Sequence, residues 1–154
     1  MTQLVQARKG IVTKEMKEAA LSEGRGAEDM RADVEDGVTV IIKNTNRKGT
    51  TALAVGRHLK TKVNANIGTS GDKADIKEEL AKLHAAVTAG ADAVMDLSTG
   101  GDLVAIRRAI LDASTVPIGT VPLYQAAVEG GARGKSFIEL EAEALFDVIE
   151  AQAE

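Results

Sequence analysis

Three side chains able to touch a ligand recur at a fixed interval in this chain. Asn66, Met95 and Tyr124 stand 29 residues apart, each at the outgoing end of a stretch with strand character. An amide can hydrogen-bond a ligand heteroatom, a thioether can wall a heterocycle, and a phenol hydroxyl can bind a phosphate or an amine. Each residue also has an ordinary structural use. Asn66 can satisfy turn backbone, Met95 can pack a core, and Tyr124 can pack with its hydroxyl bonded. Asp96, beside Met95, suits either an acid–base role or acceptance of neighbouring backbone amides. Loops of small residues follow the first two positions: Gly68, Thr69 and Ser70, then Ser98, Thr99, Gly100 and Gly101. Ahead of helix N-termini such loops can form anion nests. His58 and His84 are too isolated to imply a metal site, and no nucleophile and base stand in an acyl-transfer pattern.

The elements that must carry these residues read as strand–loop–helix units. Residues 62–67, 91–96 and 116–121 are predicted strands. Asp75 opens a predicted helix to residue 89, with Ile76, Leu80, Leu83 and Val87 along one side. Asp102 caps the next helix, with Leu103, Val104, Ile106, Ile110 and Leu111 behind it. After the third strand a Pro-containing turn and a polar loop at 129–135 lead to Ser136. Ser136 and Glu139 read as the capping box of one final helix with Ile138, Leu145, Phe146 and Ile149 on its apolar side. Such units in series predict an α/β fold with parallel strands and helical crossovers. A period near 29 residues suits a (β/α) barrel, whose mouth all three candidate residues would line. Three units cannot close an eight-unit barrel. Residues 61–154 are therefore expected to be the first three strand–helix units of an incomplete (β/α)8 barrel, the front of a longer protein or a split subunit needing its other half.

Residues 1–60 read as a small N-terminal helical and β segment. Short helices are predicted at 2–9, from Thr13 to Gly24, and at 27–35, followed by a β-rich run at 38–42, a polar turn at 44–49 and a short run at 52–55. Lys43, Arg47, Lys48, Arg57, Lys60 and Lys62 form a diffuse basic cluster, read as a solvated face or as help for an anionic ligand.

The totals narrow the function classes. The 154 residues carry a net charge of −4, with 44% apolar and 27% charged residues. That is globular, and it gives no electrostatic reason to expect a nucleic-acid partner. One tyrosine, two phenylalanines and no tryptophan make a base-stacking platform a poor expectation too. Without cysteine these residues contain no disulfide, thiolate metal site or cysteine-held cluster. No apolar run approaches roughly 18 residues, so neither a membrane span nor a signal peptide is predicted, and the chain reads as cytoplasmic.

Taken together, residues 62–70 (KVNANIGTS), 94–100 (VMDLSTG) and 116–126 (VPIGTVPLYQA) resemble the phosphomethylpyrimidine synthase family of the thiamin pathway. The start (MTQLVQARKG) and end (EAQAE) resemble its shorter, archaeal-like form, and the match is loosest between Val38 and Leu59. The resemblance implies a (β/α)8 barrel, a homodimer in the full-length form, and a carbon–carbon lyase of the radical S-adenosylmethionine class. It implies 5-aminoimidazole ribonucleotide as substrate and 4-amino-5-hydroxymethyl-2-methylpyrimidine phosphate as product. It also implies S-adenosylmethionine, a [4Fe-4S] cluster on a C-terminal cysteine motif, and zinc on histidines. The family's substrate contacts fall on Asn66, Met95 and Tyr124, with the heterocycle near Met95. Its later substrate contacts, metal histidines and cluster cysteines have no counterpart in these residues. The chain by itself is thus expected to bind none of those cofactors through its own ligands, to be inactive, and to need the rest of the barrel or a C-terminal partner polypeptide. The related 5-hydroxybenzimidazole synthase of anaerobic cobamide synthesis, and a non-enzymatic binding or assembly module, are the alternative readings.

Overall fold

The computed structural model describes residues 1–47 and 49–153. Lys48 of the basic cluster, and Glu154 at the end of the expected final helix, lie outside the described residues. The chain divides into two compact units, Met1–Val63 with Thr115–Pro117, and Asn64–Ser114 with Ile118–Glu154.

The first unit holds three helices and a hairpin. Helix α1 (Gln3–Ala7) is capped by Thr2, and α2 (Lys14–Glu23) by Thr13, whose hydroxyl accepts the Met16 N–H at 3.1 Å. Gly24 ends α2 in the left-handed conformation that a side chain disfavours. After α3 (Ala27–Glu35), strands β1 (Thr39–Ile42) and β2 (Leu53–Gly56) pair antiparallel as a hairpin. The core is made of Met16, Met30 and small apolar residues, among them Ala7, Ala19 and Ala54. Part of the basic cluster is tied down inside this unit. Lys43 pairs with Glu18 at 2.6 Å, Lys62 with Glu23 at 2.8 Å, and the Lys60 ammonium donates to the Ser22 carbonyl at 2.9 Å.

The second unit is a mixed α/β structure around a small parallel sheet, in the order β3 (Asn64–Ile67), β4 (Ala93–Asp96), β5 (Ile118–Thr120). Asp75 caps α4 (Ile76–Thr88) and Asp102 caps α5 (Leu103–Ala113), each carboxylate accepting a backbone N–H of the first turn. Strand residues alternate between faces. Ile67, Val94 and Asp96 are buried, while Asn64 and Asn66 on the other face are exposed and Met95 is half-buried.

The third strand–helix stretch, within this second unit, departs from expectation. Its strand is three residues long, and the expected turn and polar loop are mostly helix, α6 (Pro122–Ala132). Proline at the first helical position has no N–H to lose, and it suits a helix start. Gly130 falls in the expected polar loop, yet it is buried in α6, and a Cβ there would stand 2.5 Å from the Leu140 side chain. Packing has overridden local propensity. The single final helix is also replaced. Ser136 and Glu139 do form a capping box, but it opens a 3-10 turn (Phe137–Glu139), and a separate helix α7 (Ala142–Ala153) follows. Ile138 consequently lies in the turn, 93% exposed, rather than on a helical stripe.

Candidate functional site

Asn66, Met95 and Gly119 are register partners across the sheet, so two of the three candidate residues share one row of one face. Gly119 makes room for the thioether: a Cβ at position 119 would stand 2.5 Å from Met95 Sδ. The exposed Asn66 accepts at its Oδ1 a hydrogen bond from Asn64 Nδ2 at 3.0 Å, and its amide nitrogen is a further donor. Tyr124 is placed differently from the other two. It lies beyond β5 in the first turn of α6, its N–H bonded to the Val121 carbonyl at 2.9 Å and its side chain 42% exposed. Counting from the strand ends, the 29-residue interval thus joins two strand residues to one helix residue.

The loops beyond β3 and β4 bind each other, and much of their donor capacity is used in doing so. The Leu97 N–H donates to the Ile67 carbonyl at 2.9 Å, and the Thr99 N–H to the Thr69 carbonyl at 2.9 Å. The Thr69 N–H donates to Ser98 Oγ at 3.1 Å, and its hydroxyl to the Gly100 carbonyl at 2.6 Å. Ser70 N–H closes a turn onto the Lys73 carbonyl, and Gly68 N–H reaches Glu79 Oε2 at 2.8 Å. The amides of Gly68, Thr69, Ser70, Ser98 and Thr99 donate within the protein, so they are not free for the anion nests such loops can offer. Gly100 is required by this contact, since a Cβ there would lie 2.1 Å from the Ser70 carbonyl oxygen. Asp96 takes the second of its two expected roles. Its Oδ1 accepts the Ser98 N–H at 3.0 Å and the Ser98 hydroxyl at 2.5 Å, shaping the turn after Met95.

Behind the sheet's exit lies a polar network. The buried Arg107 donates to Gln125 Oε1 at 2.6 Å, the same oxygen accepts Gln152 Nε2 at 2.9 Å, and Gln125 Nε2 donates to Glu129 at 2.8 Å. Thr120 donates its hydroxyl to Gln152 at 2.6 Å. Burial pushes the Arg107 guanidinium below its ordinary pKa, with the charges of Asp96 and Glu129 acting the other way. A cavity of about 20 Å³ beside Asp96, Arg107 and Thr120 is the size of a single water, not of a substrate.

Reading the sequence missed Glu79, Gly119 and the Arg107–Gln125 pair. Glu79 left a signal: it falls on the apolar side of α4, three residues after Ile76 and four before Leu83, where a carboxylate needs a reason. Gly119 and the pair left none, because their partners come from other elements. Among the described residues no three His, Asp or Glu side chains gather as a metal site, and both histidines are exposed. Among them also, no helix is long and apolar enough to cross a membrane.

The sequence pattern of the radical SAM ThiC family matches residues 2–154. The chain belongs to that family. A phosphomethylpyrimidine synthase of Thermococcus kodakarensis is 52% identical over 150 residues, covering 97% of this chain and 35% of its own length. Enzymes of the same name from Syntrophus aciditrophicus and Pyrococcus furiosus are each 49% identical, over 100% and 97% of this chain. The chain spans about 35–36% of the length of these relatives. As a ThiC-family chain it places Asn66 and Met95 side by side in one row of a parallel sheet.

Proposed function

We propose that these residues form the N-terminal part of a phosphomethylpyrimidine synthase. In this reading the β3–β5 sheet is the first arc of a (β/α)8 barrel, residues 61–154 carry its first three strand–helix units, and residues 1–60 precede them. The substrate is 5-aminoimidazole ribonucleotide, converted to 4-amino-5-hydroxymethyl-2-methylpyrimidine phosphate. The observation that carries the site is the row Asn66–Met95–Gly119 on the more open face of the sheet. Met95, laid into the space a Cβ would take at Gly119, offers a flat, polarisable wall for the heterocycle. Asn66, its oxygen engaged by Asn64, offers an N–H to an acceptor on the ligand. Tyr124 supplies a hydroxyl from the start of α6.

The family's cofactors do not fit the side chains present. The 154 residues include no cysteine, and the described ones gather no His–Asp–Glu cluster, so neither a [4Fe-4S] cluster nor zinc has its ligands among them. In this proposal the cluster, S-adenosylmethionine and zinc are held by other residues, in a homodimer or with a partner polypeptide. The role of this chain is to hold and orient the substrate in a cytoplasmic lyase.

A chimera tests the reading: these residues replace the matching part of the Thermococcus kodakarensis enzyme. Anaerobic assay with aminoimidazole ribonucleotide, S-adenosylmethionine and reductant is expected to give the pyrimidine phosphate. A folded, cluster-loaded chimera that makes none overturns the proposal. The 154-residue chain alone, given the same mixture with iron and sulfide, is expected to make no product.

A further inference from the structure

We propose that Glu79, with Lys82, is a positioning residue that keeps Asn66 and Met95 in their shared row; its role in the reaction rests on the function proposed above. Glu79 is 3% exposed and points from α4 to the exit of β3. One carboxylate oxygen accepts the Gly68 N–H at 2.8 Å, and the other pairs with Lys82 one helical turn on. The Lys82 ammonium in turn donates to the Gly68 carbonyl at 3.1 Å. Both polar groups of one peptide residue are thus held by one ion pair.

Gly68 is where such a clamp has leverage. It stands two residues beyond Asn66, at a φ of +150°, and a Cβ there would lie 2.7 Å from both the Leu97 carbonyl carbon and the Ser98 nitrogen. Leu97 and Ser98 are the two residues after Asp96, so Gly68 is wedged against the exit of β4. From there the ladder continues through the Leu97-to-Ile67 and Thr99-to-Thr69 bonds. Fixing Gly68 fixes the end of β3 against the end of β4, and with it the depth at which Asn66 meets Met95. A buried carboxylate is costly unless fully bonded, and apart from Lys82 the helix positions beside it, Ile76 and Leu83, are apolar. An aliphatic residue would pack there without that cost, but it would leave the Gly68 N–H with no acceptor.

Two readouts test the clamp. In the isolated chain, cross-strand NOEs between Asn66 and Met95 are expected to persist in E79Q, whose amide oxygen still accepts from Gly68, and to be lost in E79A. In the active chimera, E79A is expected to raise the KM for aminoimidazole ribonucleotide about tenfold with kcat within about twofold, and E79Q to restore KM to within about threefold. K82A, at a partly exposed position, is expected to raise KM about threefold, and keeps the test open if E79A does not fold. E78A, on the same helix but paired outward with Lys73, is the control and is expected to change neither. Retained NOEs in E79A, or an unchanged KM in both E79A and K82A, overturn the proposal. An inactive wild-type chimera overturns the functional reading instead, and the NOEs still decide the clamp.

Discussion

The two units bury different kinds of residue. In the first, the buried residues are Met16, Met30, Val34, five alanines and Thr39, and the Glu23 side chain, 4% exposed, is enclosed against Lys62. In the second, Val94, Ile106 and Ile110 share the interior with Thr69, Glu79, Asp96, Ser98, Arg107, Ser114 and Gln125. Apolar burial needs only shape and volume, whereas each buried polar group needs a partner in the right direction. Several of those polar residues gather where β3, β4 and β5 end, and their partners are mainly the exit loops and α6. The first unit encloses mainly apolar side chains, with the Glu23–Lys62 pair as a polar contact among them. The second commits part of its interior to fixing the loops beside its candidate site.

Four experiments can break or sharpen this contrast. All three aromatic residues, Tyr124, Phe137 and Phe146, lie in the second unit, so tyrosine fluorescence follows that unit alone while circular dichroism follows both. The largest effect is expected from Met16→Ala, which empties a fully buried site and should cost about 2–5 kcal/mol. Urea unfolding should show the loss by circular dichroism. A smaller loss, below about 1 kcal/mol, would mean that the first unit is not held by this core.

Asp96→Ala is expected to cost about 1–3 kcal/mol, because the Ser98 N–H and hydroxyl lose their acceptor in a buried place. Asp96→Asn keeps an acceptor oxygen and should recover most of that. Tyrosine fluorescence reports it, and equal losses in the two variants would remove the polar-network account of the second unit.

A third effect is set by pH. Burial alone would raise the Glu23 carboxyl, but hydrogen bonds from the Lys62 ammonium and the Lys60 N–H, with both lysine charges, hold it below its ordinary value near 4.5. Its folded pKa is therefore the lower one. The stability it contributes is present above the ordinary carboxylate range and is lost as pH falls through the folded pKa. Lys62→Met should flatten the acid side of the first unit's stability curve, read by amide exchange of residues in α2. An unchanged acid limb would show that the pair contributes nothing there. The smallest effect is expected from Phe146→Ala. That ring is 64% exposed, and its loss should shift stability by no more than about 0.5 kcal/mol. A cost of 2 kcal/mol or more would show a buried partner for α7.

Local chemistry was easy to read. The caps at Thr13, Asp75 and Asp102, the Gly24 stop and the Ser136–Glu139 box depend on atoms within a few residues, and each forms as its residue type dictates. What escaped was settled at longer range. Helix α6 looked like a turn and loop because proline and paired glycines are breakers on average, yet Gly130 is the close approach that lets Leu140 pack. The Gly/Ser/Thr loops looked like open nests because their amides lacked partners in sequence; the partners came from the neighbouring loop and from Glu79.

For the candidate site, the sequence by itself determined which residues stand at the ends of β3 and β4, because strand period and loop composition are local and the interval between them is countable. The same interval singles out Asn66, Met95 and Tyr124. Only the tertiary structure decided that Asn66 and Met95 share a row, that Gly119 receives the thioether, and that Tyr124 starts a helix instead of ending a strand. Those outcomes follow from cross-strand register and from steric contact between elements far apart in the chain, which no single stretch of residues specifies.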